Sequence, residues 1–141
     1  MSSTWRHIDV ADYFVVGAVL LGADEQPPVT RHSIAQVEAA VHAPRVHVGN
    51  TALYPDVVVK AAVLVSRLCR AQPRQAGNVS IAYVCMIEFL ARNGYRLQPA
   101  TNDPLATATL INSVASGQIS EKQLAAALRS RIVKTSWAPQ A

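Results

Sequence analysis

The stretch with the most chemical content in this 141-residue chain is Gln72-Pro73-Arg74-Gln75-Ala76-Gly77-Asn78-Val79-Ser80. It lies between two long apolar segments and combines a proline, a glycine and an asparagine placed to cap a following helix. A helix start preceded by glycine presents backbone N–H groups beside the positive end of the dipole, a geometry that holds phosphates. A plain N-cap uses the same residues, so Gly77-Asn78 alone is a weak signal. Arg74 adds a loop cation, either solvated or facing an anion.

The remaining reactive side chains are scattered. His7, His32 and His42 read as surface or helix-end residues, and His47 falls in a short extended segment. Cys69 and Cys85 sit inside apolar stretches with no Cys-x-x-Cys or Cys/His cluster around them. They read as reduced core thiols, with no metal site. Between Lys60 and Ala100 the six cations Lys60, Arg67, Arg70, Arg74, Arg92 and Arg96 face one anion, Glu88. A patch of this kind suits a phosphate-bearing ligand, a nucleic acid, an acidic partner or simply water.

The elements that must position these groups are helices with short punctuated loops. Asp9 starts a helix over Val10 to about Leu21, stopped by Gly22, and Pro27-Pro28 forces an extended loop. A short helix runs from about Ser33, its N-cap, to His42, with Val37, Ala40 and Val41 inward. Arg45 to Leu53 reads as a small hairpin or flap. Pro55 then opens a helix through Cys69, on which Lys60 and Arg67, seven residues apart, share a charged stripe with Arg70. A second apolar helix covers about Val79 to Arg92 and stops at Asn93-Gly94. Helices apolar nearly all round belong at the centre of a fold. After an extended Tyr95 to Pro99, two amphipathic helices follow, from about Asp103 to Ser116 and from Ser120 to about Val133. The second opens with the capping box Ser120-x-x-Gln123 and buries Leu124, Ala127, Leu128 and Ile132.

Composition agrees. Half of the residues are hydrophobic and 16% are charged, with a net charge of +4, enough apolar material for a core and too little charge for disorder. The length suits one domain over 1–141, with a core over about 8–133 and a flexible tail over 134–141. The apolar run Phe14 to Gly22 is nine residues, short of the about 20 that a membrane span needs. With no secretory signal, the expectation is a cytoplasmic protein without membrane contact. The expected fold class is mainly α, a bundle of about six helices with a flap-like extended segment.

The text from Leu53 to Leu97, "LYPDVVVKAAVLVSRLCRAQPRQAGNVSIAYVCMIEFLARNGYRL", resembles the central region of death-on-curing (Doc) and Fic proteins. Those carry a "YPD…KAA" helix, a His-Pro-Phe-x-Asp-Gly-Asn-Lys-Arg loop and a helix ending in "NGYRL". The upstream "SIAQVEAAVHAPRVHVGNTALYPD" and downstream "ASGQISEKQLAAALRSRI" are also similar, so the likeness spans roughly Ile8 to Ile132. It implies a compact Fic/Doc-like helical bundle, and an enzyme that transfers AMP or phosphate from a nucleotide to a protein hydroxyl.

The departures fall on the chemistry. Gln72 occupies the position of the motif histidine, the general base, and an amide cannot take up a proton near neutral pH. Arg74 replaces the phenylalanine that packs the loop, Ala76 the acidic residue, and Val79 and Ser80 the phosphate-gripping Lys-Arg pair. Pro73, Gly77 and Asn78 match. The resemblance therefore implies no catalytic residue, and a remnant at Arg74, Gly77, Asn78 and Ser80 that could still hold an anion or nucleotide. Loss of a base costs about 10²–10⁴ in rate, and loss of electrostatic stabilisers a similar factor again.

The first expectation is a degenerate Fic/Doc protein of toxin–antitoxin or phage-related origin that works by binding. Its partner would be a protein, an antitoxin-like segment or a host protein, and it needs no cofactor. The alternative is an active enzyme with a non-standard motif that uses ATP with Mg²⁺, with Arg67, Arg70 or Arg74 supplying charge and His47 as the nearest replacement base. Nucleic-acid binding lacks a helix-turn-helix, zinc or aromatic-interleaved pattern. The oligomeric state is open.

Overall fold

The computed structural model describes residues 5–22, 30–71, 77–98 and 106–135. These form a mainly helical fold: α1 Val10–Leu21, α2 Arg31–His42, α3 Val57–Ala71, α4 Asn78–Arg92, α5 Ala106–Ala115 and α6 Glu121–Arg129. Two small antiparallel ribbons complete it. One pairs β1, His47–Val48, with β2, Thr51–Ala52, and the other pairs β3, Tyr95–Leu97, with β4, Ile132–Lys134.

Local rules set most of the helix ends. Asp9 and Asp12 form a reciprocal capping box at α1, each carboxylate accepting the other's backbone N–H at 2.9 Å. Gly22 ends α1 at φ 79°. The α2 helix begins two residues before the expected start, because Thr30, not Ser33, is its N-cap and accepts the Ser33 N–H at 3.0 Å. Similarly, Pro55 lies outside α3, and Asp56 accepts the Val59 N–H at 2.8 Å. A 3-10 turn, Ala43–Arg45, follows α2 and leads into the β1–β2 hairpin expected over Arg45 to Leu53.

The α3 helix is the centre of the molecule. Eleven of its 15 residues are buried, and it packs against α2, α4, α5 and α6. Only a helix surrounded on nearly every side can be this apolar around its circumference. The α4 helix supplies the facing layer through Ile81, Ala82, Cys85, Met86, Phe89 and Leu90. Val37, Ala40 and Val41 of α2 face inward as expected. On α6 the buried set is Leu124, Ala125 and Leu128, while Ala127 is half-buried. Among the described residues no helix is long and apolar enough to cross a membrane.

The C-terminal end differs from the helical expectation. The α6 helix stops at Arg129, and Ile132–Lys134 is a strand rather than the last turn of a helix or the start of a tail. The Arg131 N–H closes the final turn on the Leu128 carbonyl at 2.9 Å. Beyond it, the β-branched pair Ile132-Val133 satisfies the backbone groups of β3, in register Tyr95↔Lys134 and Leu97↔Ile132. Thr135 donates its N–H to the Gly94 carbonyl at 3.0 Å, continuing the ribbon. The expected extended loop at Pro27-Pro28, the start of the helix at Asp103 and the tail beyond 135 lie outside the described residues.

Candidate functional site

The helices α3 and α4 are joined through residues 72–76, so Gln72, Pro73, Arg74 and Ala76 lie outside the described residues. Gly77, Asn78 and Ser80 are placed. Gly77 is the N-cap of α4 at φ 83° and ψ 2°, a left-handed conformation that favours glycine. A Cβ there would also lie 3.2 Å from both Cδ atoms of Leu21. Asn78 is therefore the first residue of the helix, not its cap, and the cap residue, a glycine, has no side chain to bond the first turn. The substitution of role follows from the backbone: the left-handed turn falls one residue earlier than an asparagine cap requires.

Beside this helix start a cleft of about 350 Å³ opens between α4 and α5. Val79, Ser80 and Tyr83 form one wall and Thr107, Ile111 and Asn112 the other. Its described lining carries hydroxyl and amide groups and no carboxylate, histidine, lysine or arginine, while the Arg131 guanidinium beside it donates to the Thr107 hydroxyl. Hydroxyls and amides position a ligand by neutral hydrogen bonds; near neutral pH they neither abstract a proton nor hold a phosphate by charge.

The expected charged stripe does not form, and of the six cations expected in a basic patch four are engaged elsewhere, Arg96 is exposed and Arg74 lies outside the described residues. Lys60 is 2% exposed, its Nζ donating to the Pro44 carbonyl at 3.0 Å and lying 5.2 Å from the Trp5 ring centroid. Burial lowers its pKa, against the pull of Asp56. Arg67 Nε binds Glu121 Oε1 at 2.5 Å, and Arg70 reaches the same oxygen at 3.5 Å. That hydrogen bond raises the Arg67 pKa. Arg92 takes both oxygens of Asp12 at 2.9 Å and Glu88 at 3.1 Å. Carboxylates distant in sequence thus occupy three of the cations, and the core takes a fourth.

His7 is not a surface residue: its ring stacks on Phe89 at 5.8 Å, and burial, followed by Arg45, Lys60 and His42, lowers its pKa to about 4. His32 and His42 are exposed on α2, as expected. His47 is exposed on the hairpin, with Nδ1 2.9 Å from the Arg45 carbonyl oxygen. Cys69 and Cys85 are free and buried, and burial pushes their thiols up to about 11 and about 12. Among the described residues no group of three or more His, Cys, Asp or Glu is placed to hold a metal ion.

The pairs Arg67–Glu121, Arg92–Asp12 and Lys60–Trp5 were not legible beforehand. Each joins segments 54 or more residues apart, and no local pattern marks such partners. Comparison with known protein families and with curated proteins finds no match.

Proposed function

We propose that the chain is a degenerate Fic/Doc-type protein, of toxin–antitoxin or phage-related origin, that acts in the cytoplasm by binding a protein partner and not by catalysis. The observation that carries this reading is the neutral lining of the cleft at the start of α4, next to the loop where Gln72 replaces the motif histidine. Neither offers a group that changes protonation state near neutral pH. The sequence likeness from Leu53 to Leu97 supports the Fic/Doc frame, and the central packed pair α3–α4, joined through that loop, is in keeping with it.

Two further facts weigh against the enzyme alternative. Arg67 and Arg70, which it would recruit for phosphate, share Glu121. The described lining of the cleft itself holds neither a cation for the phosphates nor a carboxylate for the metal, and Arg131 beside it is bound to the Thr107 hydroxyl.

Calorimetry with ATP, with and without Mg²⁺, tests the reading together with a radiolabel-transfer assay on cell lysate. The expected result is no heat at millimolar nucleotide and no labelled protein. Tight ATP binding accompanied by label transfer would overturn it.

A further inference from the structure

We propose that the groove between α3 and α6 is a binding site for a small amphipathic organic acid, with its anionic head at Lys122 and its apolar body along the groove. This site is independent of the α4 cleft and of the reading given for it.

The two helices run antiparallel, and an ion pair closes each end of the space between them. Arg67, late on α3, binds Glu121 at the start of α6, and Arg129, at the end of α6, reaches Asp56 just before α3 at 3.3 Å. Between these pairs lies a groove of about 440 Å³, at the small-ligand end of the usual range of about 300–1,000 Å³. Its surface comes from Val59 and Val63 on α3 and from Ala125 and Ala126 on α6. Two successive alanines leave unfilled a space that larger side chains would occupy, and Tyr54 walls one side. The middle of the groove is therefore apolar, and its charged lining residues are Glu121, Lys122 and Arg129.

The charge of the groove is positive where charge is available. Glu121 is already shared by two arginines. Lys122 lines the groove, is exposed, and makes no ion pair among the described residues. Arg129 has one 3.3 Å contact and a side chain 56% exposed. Lys122 stands in the first turn of α6, where the helix dipole adds to its charge. Ser120 and Gln123 cap that end, so the lysine, not the backbone, is the anion contact. Lys122 and Arg129 are seven residues apart, about 10 Å along the axis, which sets the ligand length. A carboxylate joined to one aromatic ring or a short branched chain matches that span.

The probe is 4-phenylbutyrate, with the uncharged 4-phenylbutyramide beside it, titrated into the isotope-labelled full chain and followed by amide NMR shifts. The expected result is saturable shifts centred on Val59, Val63, Lys122 and Ala126, with the acid bound roughly tenfold tighter than the amide. Lys122→Gln should bring the acid down to the affinity of the amide. Ala126→Trp should abolish binding of both. Should the tryptophan disturb the fold, Lys122→Gln still decides, since it changes an exposed side chain. No saturable shift by about 10 mM acid overturns the proposal. Equal affinities for acid and amide, or shifts centred outside the groove, overturn it as well.

Discussion

Arg92 grips Asp12 through two parallel hydrogen bonds of 2.9 Å, joining the first turn of α1 to the last turn of α4 across 80 residues of chain. The same guanidinium donates to the His7 carbonyl at 3.2 Å, so one side chain fixes α1 and the segment before it. Asn93 adds to this by accepting the Arg6 N–H at 3.0 Å and donating to the Arg6 carbonyl at 2.9 Å. The ordered N-terminal segment thus depends on the end of α4.

Asp12 should be a source of acid sensitivity. The Arg92 hydrogen bonds hold its carboxyl at about 2, below its ordinary value near 4. A depressed carboxylate contributes stability above the unfolded-state pKa and loses it as pH falls through the folded one. Asp12→Asn should lower stability at pH 7 by about 1–2 kcal/mol, allowing for partial exposure of the pair. The difference from the parent protein should vanish between about pH 4 and pH 2. Urea denaturation across that range measures it, and a constant difference would refute the assignment.

His7 shifts stability in a higher window. Its folded pKa of about 4 lies below the ordinary 6.5, so the unfolded chain takes up the proton first as pH falls. Stability should decline from about pH 6.5 to about pH 4 and owe nothing further to His7 below that. His7→Phe keeps a ring against Phe89 without the titration. It should flatten this part of the profile and be about 1–2 kcal/mol more stable than the parent at pH 4, relative to pH 7. Thermal melts at the two pH values provide the comparison.

Gly77→Ala should cost about 1–2 kcal/mol, since it places a Cβ at positive φ and within 3.2 Å of Leu21. Adding Leu21→Ala would relieve the contact and leave the backbone strain, so the coupling between the two changes measures the contact. A melting temperature unchanged by Gly77→Ala would mean that α4 starts elsewhere.

The two thiols should be inert in the folded protein. Burial pushes Cys69 to about 11 and Cys85 to about 12, which keeps the reactive thiolate scarce at neutral pH. A thiol-exchange reagent at pH 8 should label neither until denaturant is added, and then both. Rapid labelling of the native protein would contradict the core placement.

The helices were legible because the signals that specify them are local. Asp9 with Asp12 and Ser120 with Gln123 close capping boxes within a single turn, and the apolar spacing of Val37, Ala40 and Val41 fixes an inward face. The apolar character of α3 around most of its circumference marks it as a central helix. By itself, then, the sequence determined the helical class, the central pair and the neutral residues at the start of α4.

Tertiary structure alone decided the fate of the charges and of the chain end. Lys60 and Arg67 share a helical phase, yet one is buried under Trp5 and the other meets Glu121. The reason is physical: a cation's exposure and pKa depend on which distant segment packs over it, and helical phase carries no information about that. Ile132-Val133 fits a helix face by spacing, but the open backbone groups of β3 nearby made the extended form the stable one. The α3–α6 groove has the same origin, since two alanines become a cavity only when a helix with facing valines is brought against them.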